Sequence, residues 1–535
     1  MRLARPLAAV MVLVIVAVAG CASAQTAPGG PAAGAAAANI GPASRITIDT
    51  DRSVNCTSME SIVKDITAGC KTDKDKAIAC FNFMVRMVYI PYIYDRPKEM
   101  SGGGLQSVTD PVKNLVVYGS GGCGIQMTMF STLCHAAGLE ARSLNPGFAH
   151  VSNEVKWDGK WHWLDVWLPL YLYDEKGEIY SYEELMADRT LAPAAIAAGR
   201  HSENFMYNPQ DANALKNVTK FGPSGTGVRK VDYAENLTLR PGEQVTWMWG
   251  NVGKWYWPEE RYACPAFKFP SDKSAKQAFP FWEPYEKPIP GGPHPGGKHI
   301  YYRYYGNAVF VSQPALTARG LAEYDMKLDS GSDEGTAANM QVAKDGLALA
   351  RAGSGSVVIP FVLPYVLADA EIEGETALGE GDQATLDFSI DGGKAWLGNK
   401  EIVGGKFGPV SIGKPNSKEF PKGTVSGQYK YLLRVTLKSE KQLAMLKSLK
   451  VTNTTMLNFY SRPWLETGKN NVTVTAEGDL AKAPLEVTWK WLEDWTEAKS
   501  FTQKADKSGA TAVIDAGGSK RPKMVSITIA RPAGK

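Results

Sequence analysis

The chain has 535 residues, 44% of them hydrophobic and 21% charged, with a formal net charge of +4. Such a composition suits a folded multidomain protein with room for about three domains, and it excludes a disordered, highly charged chain. The positive excess is too small to argue for a nucleic-acid partner, and no phosphate loop, nucleotide fingerprint or metal-ligand cluster is found, so no cofactor or metal is expected.

Residues 1–24 read as an export signal. Arg2 and Arg5 precede the apolar run from Leu7 to Ala19, which is too short for an ordinary membrane span and is flanked as a signal is. Its end reads two ways. Val18-Ala19-Gly20-Cys21 resembles a bacterial lipobox and makes Cys21 a lipidated N-terminus, whereas Ala22-Ser23-Ala24 suits ordinary signal peptidase. The lipobox is preferred, because a cysteine directly after Ala-Gly at the end of an apolar run has little other reason to be there. Ala22 in place of aspartate points to the outer membrane, with contact to the bilayer through the lipid alone. Residues 25–45, rich in Ala, Gly and Pro, form a flexible linker.

Two helices are expected between Asn55 and Val88, opened by capping boxes at Thr57 with Glu60 and Thr72 with Asp75. A third spans Gly124 to Ala137 on the buried stripe Met127, Phe130, Leu133 and Cys134, and Gly138 stops it. Cys123 then sits at a helix N-terminus, where the dipole and free N–H groups favour a thiolate and can hold an oxyanion. The run from His150 to Val155 alternates as a strand, and Trp157-Asp158-Gly159-Lys160-Trp161 signals a hairpin whose return strand brings Asp165 beside His150. Cys123, His150 and Asp165 thus supply a nucleophile, a base and an orienting group in chain order. His135, His162 and Cys134 read as structural. Cys56 and Cys70 bracket a helix too long for one disulfide to bridge, so any bridge uses Cys80 or Cys264, or none forms.

Gly-x-Cys opening a helix that ends Ala137-Gly138-Leu139-Glu140-Ala141-Arg142, then His150-x-x-x-Glu154-Val155, then Asp158-Gly159-x-Trp161-x-x-x-Asp165, resembles the core of the transglutaminase-like superfamily. The resemblance covers Cys56 to Tyr182 and departs at Gly124-Ile125-Gln126, where many members carry an acidic or aromatic residue. It implies a papain-like α+β fold with Cys123 as nucleophile, His150 as general base and acid, and Asp165 fixing the imidazole. The family includes transglutaminases, proteases, amidases and peptide N-glycanases.

Beyond this domain, taken as residues 46–227, residues 228–356 form an aromatic-rich irregular β region whose rings read as core rather than as sugar platforms. Alternating runs at Tyr365–Ile372, Ala384–Ile390, Tyr429–Leu437, Leu449–Thr455, Asn471–Ala476, Leu485–Trp491 and Met524–Ile529 imply all-β sandwich modules at 357–455 and 456–535. Their strands are expected to pair among themselves, so that 357–535 would fold alone. Ser389 to Trp396 reads as a hairpin on which Trp396 packs. The fold class is therefore multidomain, an α+β papain-like domain followed by β-sandwiches. The expected function is extracytoplasmic thiol-dependent acyl transfer on a protein, peptide or cell-envelope amide. The alternative is an inactive surface protein whose β modules hold glycan or a protein partner.

Overall fold

The computed structural model describes residues 40–88, 108–119, 123–145, 150–202, 222, 225–250, 252–254, 305–329, 339–415, 423–442 and 444–532. The export segment with Cys21, Cys264 and the aromatic stretch from Trp255 to Tyr304 lie outside them.

The described chain begins with β1 (Ser44–Thr50), α1 (Met59–Thr67) and α2 (Asp73–Met87). The second helix is capped by Thr72 and Asp75 as expected. The first is capped instead by Ser58 with Ser61, because the Thr57 hydroxyl already donates to Asn55 Oδ1 at 2.6 Å. A short α3 (Pro111–Lys113) runs into a π-helical turn, Asn114–Tyr118, that ends on Gly119 at φ 54°. This glycine is needed twice over: its φ is left-handed, and a Cβ there would strike the Asn458 side chain, whose amide donates to the Leu115 carbonyl at 2.8 Å.

Next comes α4 (Cys123–Ala136), stopped at Gly138 with φ 82°, where the Gly138 and Leu139 N–H groups return to the carbonyls of His135 and Cys134. Its apolar stripe packs on α2, Phe81 meeting Phe130 edge-on at 6.4 Å between centroids. Then β2 (Glu140–Leu144), β3 (Ser152–Trp157) and β4 (Lys160–Leu164) form a three-stranded antiparallel sheet in that order. Asp158 and Gly159, at φ 50° and 76°, make the two-residue hairpin turn that the sequence calls for. Two short helices follow, α5 (Tyr182–Ala187) and α6 (Leu191–Ala197), parted where the Asp188 carboxylate takes the N–H and hydroxyl of Thr190.

The remainder is antiparallel β structure in the expected sandwich class. A ten-stranded sheet runs Gly405–Ser411, Val366–Ala377, Met445–Asn458, Tyr305–Ser312, Glu243–Met248, Lys523–Arg531, Leu485–Glu493, Glu497–Ala505, with two short strands beside this path. A five-stranded sheet built around Lys430–Ser439 covers one half, where Tyr431 donates to Asn453 Oδ1 at 2.8 Å. A three-stranded sheet covers the other half, where Gln503 donates to the Ala510 carbonyl at 2.9 Å. Each of the seven runs read from alternation lies on a strand, with Tyr365, Ile390 and Tyr429 one residue outside theirs.

The expectation that strands beyond Val357 pair only with one another fails. Tyr305–Ser312 and Glu243–Met248 lie between Met445–Asn458 and Lys523–Arg531, and the three-stranded sheet has β1 as an edge, Val474 opposite Ile48. A fragment of residues 357–535 would expose those edges and the apolar faces they close. It should aggregate or give broad NMR spectra, whereas a dispersed spectrum from that fragment would show that β1 and the inserted strands are dispensable.

Candidate active site

Each site residue is set by a local rule already legible in the chain. Cys123 is the first residue of α4, His150 lies just before β3, and Asp165 lies just after β4. The hairpin register, Asn153 opposite Leu164, therefore carries His150 and Asp165 to the same end of the sheet. His150 Nε2 meets Asp165 Oδ2 at 2.6 Å, with His150 6% and Asp165 1% exposed. The other carboxylate oxygen accepts the N–H groups of Trp167 at 3.0 Å and Leu168 at 2.9 Å, so the carboxylate cannot turn. The Cys123 thiol, half-buried, is hydrogen-bonded to the His150 side chain. With Nε2 taken by Asp165, Nδ1 is the ring nitrogen left for the sulfur.

Electrostatics follow the geometry. Burial pushes the Cys123 thiol up, but hydrogen bonds from His150 and from the Val151 and Gly124 N–H groups, with the imidazole's charge, outweigh it and the net direction is down. For His150, burial lowers the imidazole's pKa, yet the charge and hydrogen bond of Asp165 and the thiolate raise it from 6.5 to about 10. The two groups therefore favour a thiolate–imidazolium pair. The raised histidine stabilises the fold fully below pH 6.5 and loses that contribution as pH rises through about 10. The lowered cysteine acts in the opposite sense: its contribution is present above its ordinary 9.0 and lost as pH falls through the lowered value.

Residues that support the site were only partly visible in the sequence. Arg142 and Glu154, both in the motif, pair at 2.6 and 2.8 Å across β2 and β3, while the second Glu154 oxygen accepts the Tyr182 N–H that opens α5. Their work is structural. Trp167, whose ring centroid lies 5.0 Å from that of His150, is not legible in the sequence, since a tryptophan three residues past a strand end carries no positional signal. Asn153 was read only as an alternating strand residue. His162 is stacked on Trp157 at 3.6 Å with Nδ1 on the Ile179 carbonyl, and Cys134 is fully buried against Cys80, so both are structural as expected. Cys56, Cys70, Cys80, Cys123 and Cys134 are all free thiols. Among the described residues no group of His, Cys, Asp or Glu is placed to hold a metal ion. A cavity of about 440 Å³ at the junction of α3 with the β region is lined by Lys113, Tyr233, Arg240 and Tyr429 among others, and by none of the three site residues.

Residues 60–175 match the family described as the transglutaminase-like superfamily, and this part of the chain is a domain of that superfamily. No curated protein matches the chain. Among solved structures, the chain is similar to a β-glucuronidase of Parabacteroides merdae at 12% identity and a TM-score of 0.14, over 41% of this chain and 31% of that one. It is also similar to the glycoside hydrolase domain of Endo-D from Streptococcus pneumoniae R6 at 10% identity and a TM-score of 0.12, over 62% of this chain and 51% of that one. The chain thus spans about a third and about half of those proteins, at a likeness too low to carry any argument about activity.

Proposed function

We propose that the chain is an extracytoplasmic thiol-dependent acyl-transfer enzyme acting on a protein, peptide or cell-envelope amide. The observation that carries this reading is the continuous line from Cys123 at the head of α4 to the His150 ring and on to the fixed Asp165 carboxylate. The Cys123 thiolate adds to the amide carbonyl, and the developing oxyanion is held by N–H groups at the N-terminus of α4. His150, protonated, gives its proton to the departing amine as the C–N bond breaks, leaving a thioester. Water or a second amine, deprotonated by His150, then attacks the thioester and returns the sulfur as thiolate. Asp165 holds Nε2–H throughout, which keeps Nδ1 toward the sulfur.

Incubation with cell-envelope fragments, followed by intact-mass measurement, tests the reading. An acyl adduct on Cys123 that hydroxylamine releases, absent in Cys123→Ala, is the expected result. A chain that never acylates while its β modules retain envelope glycan would favour the surface-protein reading. Turnover should be bell-shaped in pH. It rises where the thiolate forms, below the ordinary 9.0 of cysteine, and falls near pH 10 as the imidazolium loses its proton.

Anchoring through Cys21 belongs to the same proposal. Cys21→Ser should move the protein from the membrane fraction to the soluble one, and a wild-type chain beginning at Gln25 would contradict it.

A further inference from the structure

Two elements set the reactive groups, α4 for the thiol and, for the histidine, the segment that runs directly into β3, and they must be held in register along one another. The strand meets the helix at two points. Upstream, the Val151 N–H reaches the Cys123 sulfur, and a Cβ placed on Gly124 would lie 3.7 Å from Val151 Cγ2. Downstream, Asn153 Nδ2 donates to the Met127 carbonyl at 3.1 Å and to Ser131 Oγ at 2.8 Å. The spacing is commensurate: from Val151 to Asn153 the strand advances about 6.6 Å, and from Cys123 to Met127 the helix rises about 6 Å.

At the far end of α4 the His135 ring meets the Ala141 carbonyl of β2 at 3.1 Å, and between that point and Asn153 lies apolar packing, Phe130, Leu133 and Val155 belonging to one buried cluster. Such contact is non-directional and resists sliding poorly. The Asn153 amide is directional and fully buried, and its orientation is forced, since turning it over would set Oδ1 against the Met127 carbonyl. That orientation leaves Oδ1 without a hydrogen-bond partner among the described residues. A leucine of similar size would remove that unpaired acceptor but also take the donor from the Met127 carbonyl and from Ser131 Oγ, so the gain and the loss in stability oppose each other and what the amide adds is alignment.

We infer that Asn153 is a positioning residue, which fixes β3 against α4 so that His150 and the Val151 N–H are aligned on the Cys123 sulfur. This rests on the thiol-enzyme reading above but concerns a residue that touches neither sulfur nor substrate. Removing the clamp lets the strand shift along the helix, and the hydrogen bonds at the sulfur weaken with it.

The test is the pH dependence of Cys123 alkylation by iodoacetamide, read by mass spectrometry of the Cys123 peptide, in wild type, Asn153→Leu and Asn153→Asp. The leucine keeps the volume and the aspartate keeps the shape, and both lose the donors. Expected is an acid inflection raised by about one unit or more toward the ordinary cysteine value, the worth of one hydrogen bond to a charged sulfur. Should the leucine variant fail to fold, Ser131→Ala, which removes one of the two acceptors without adding a charge, should shift the inflection part of the way, whereas the aspartate, whose own charge also raises a nearby thiol, should shift it further. Variants that melt earlier but keep the wild-type inflection would make Asn153 merely structural and overturn the inference. A wild-type thiol that itself titrates as ordinary cysteine would instead overturn the thiol-enzyme reading, and this inference with it.

Discussion

Asp165→Asn should lower turnover by roughly 10²–10⁴ while leaving the fold intact, and Cys123→Ala and His150→Ala should each abolish it. The direction follows from how the carboxylate is held. Oδ1 accepts two backbone N–H groups, from Trp167 and Leu168, so an asparagine must keep its oxygen there and turn its NH₂ toward His150. Nε2 then becomes an acceptor and the ring proton moves to Nδ1, facing a thiol it can no longer deprotonate. The double change Cys123→Ala with Asp165→Asn should be no worse than Cys123→Ala alone, because the three groups act as one unit. Amine release from an acylating amide measures all four variants, and circular dichroism checks that each is folded. Additive losses, or an Asp165→Asn enzyme of full activity, would remove Asp165 from the mechanism.

The largest effect on stability is expected at the junction of the two parts of the chain. Arg462 and Glu235, with side chains 3% and 1% exposed, form a two-pronged pair at 2.6 Å on each arm. Arg462 also donates to Tyr365 Oη at 2.9 Å and to Ser461 Oγ, and its guanidinium lies 4.7 Å from the Trp247 ring centre. The Glu235 N–H in turn donates to the Thr57 carbonyl, tying the helical domain to the β structure. Glu235→Ala leaves a buried cation unpaired and should cost about 3–5 kcal/mol, read as a lower urea midpoint. Replacing both residues by leucine should cost far less than either single loss. A Glu235→Ala protein as stable as wild type would mean that the guanidinium finds water.

What the sequence made legible was local. A glycine stop, an Asp-Gly turn and a period-two run each need only a few neighbouring residues, so α4, the β3–β4 hairpin and the strand runs could be read, and with them the meeting of His150 and Asp165. Partner choice across long separations could not. Nothing in Ser44–Thr50 says that it pairs with Gly468–Glu477, and the Arg462–Glu235 pair joins residues 227 positions apart. Alternation identifies a strand and its buried face, but not the strand beside it. The cap of α1 was misplaced by one residue because Thr57 and Ser58 both offer a hydroxyl, and only the Asn55 contact separates them. Asn153 and Trp167 were passed over for a related reason: their importance lies in what they face across the fold.

The central claim is that Cys123 is an activated thiol, and the rate of its alkylation by iodoacetamide across pH tests it most directly. In the wild type the Cys123 peptide should be modified rapidly and selectively at mildly acidic pH, with an inflection below the ordinary 9.0, and His150→Ala should carry that inflection back up. A Cys123 that reacts no faster than free cysteine at mildly acidic pH, and whose profile His150→Ala leaves unchanged, would contradict the account.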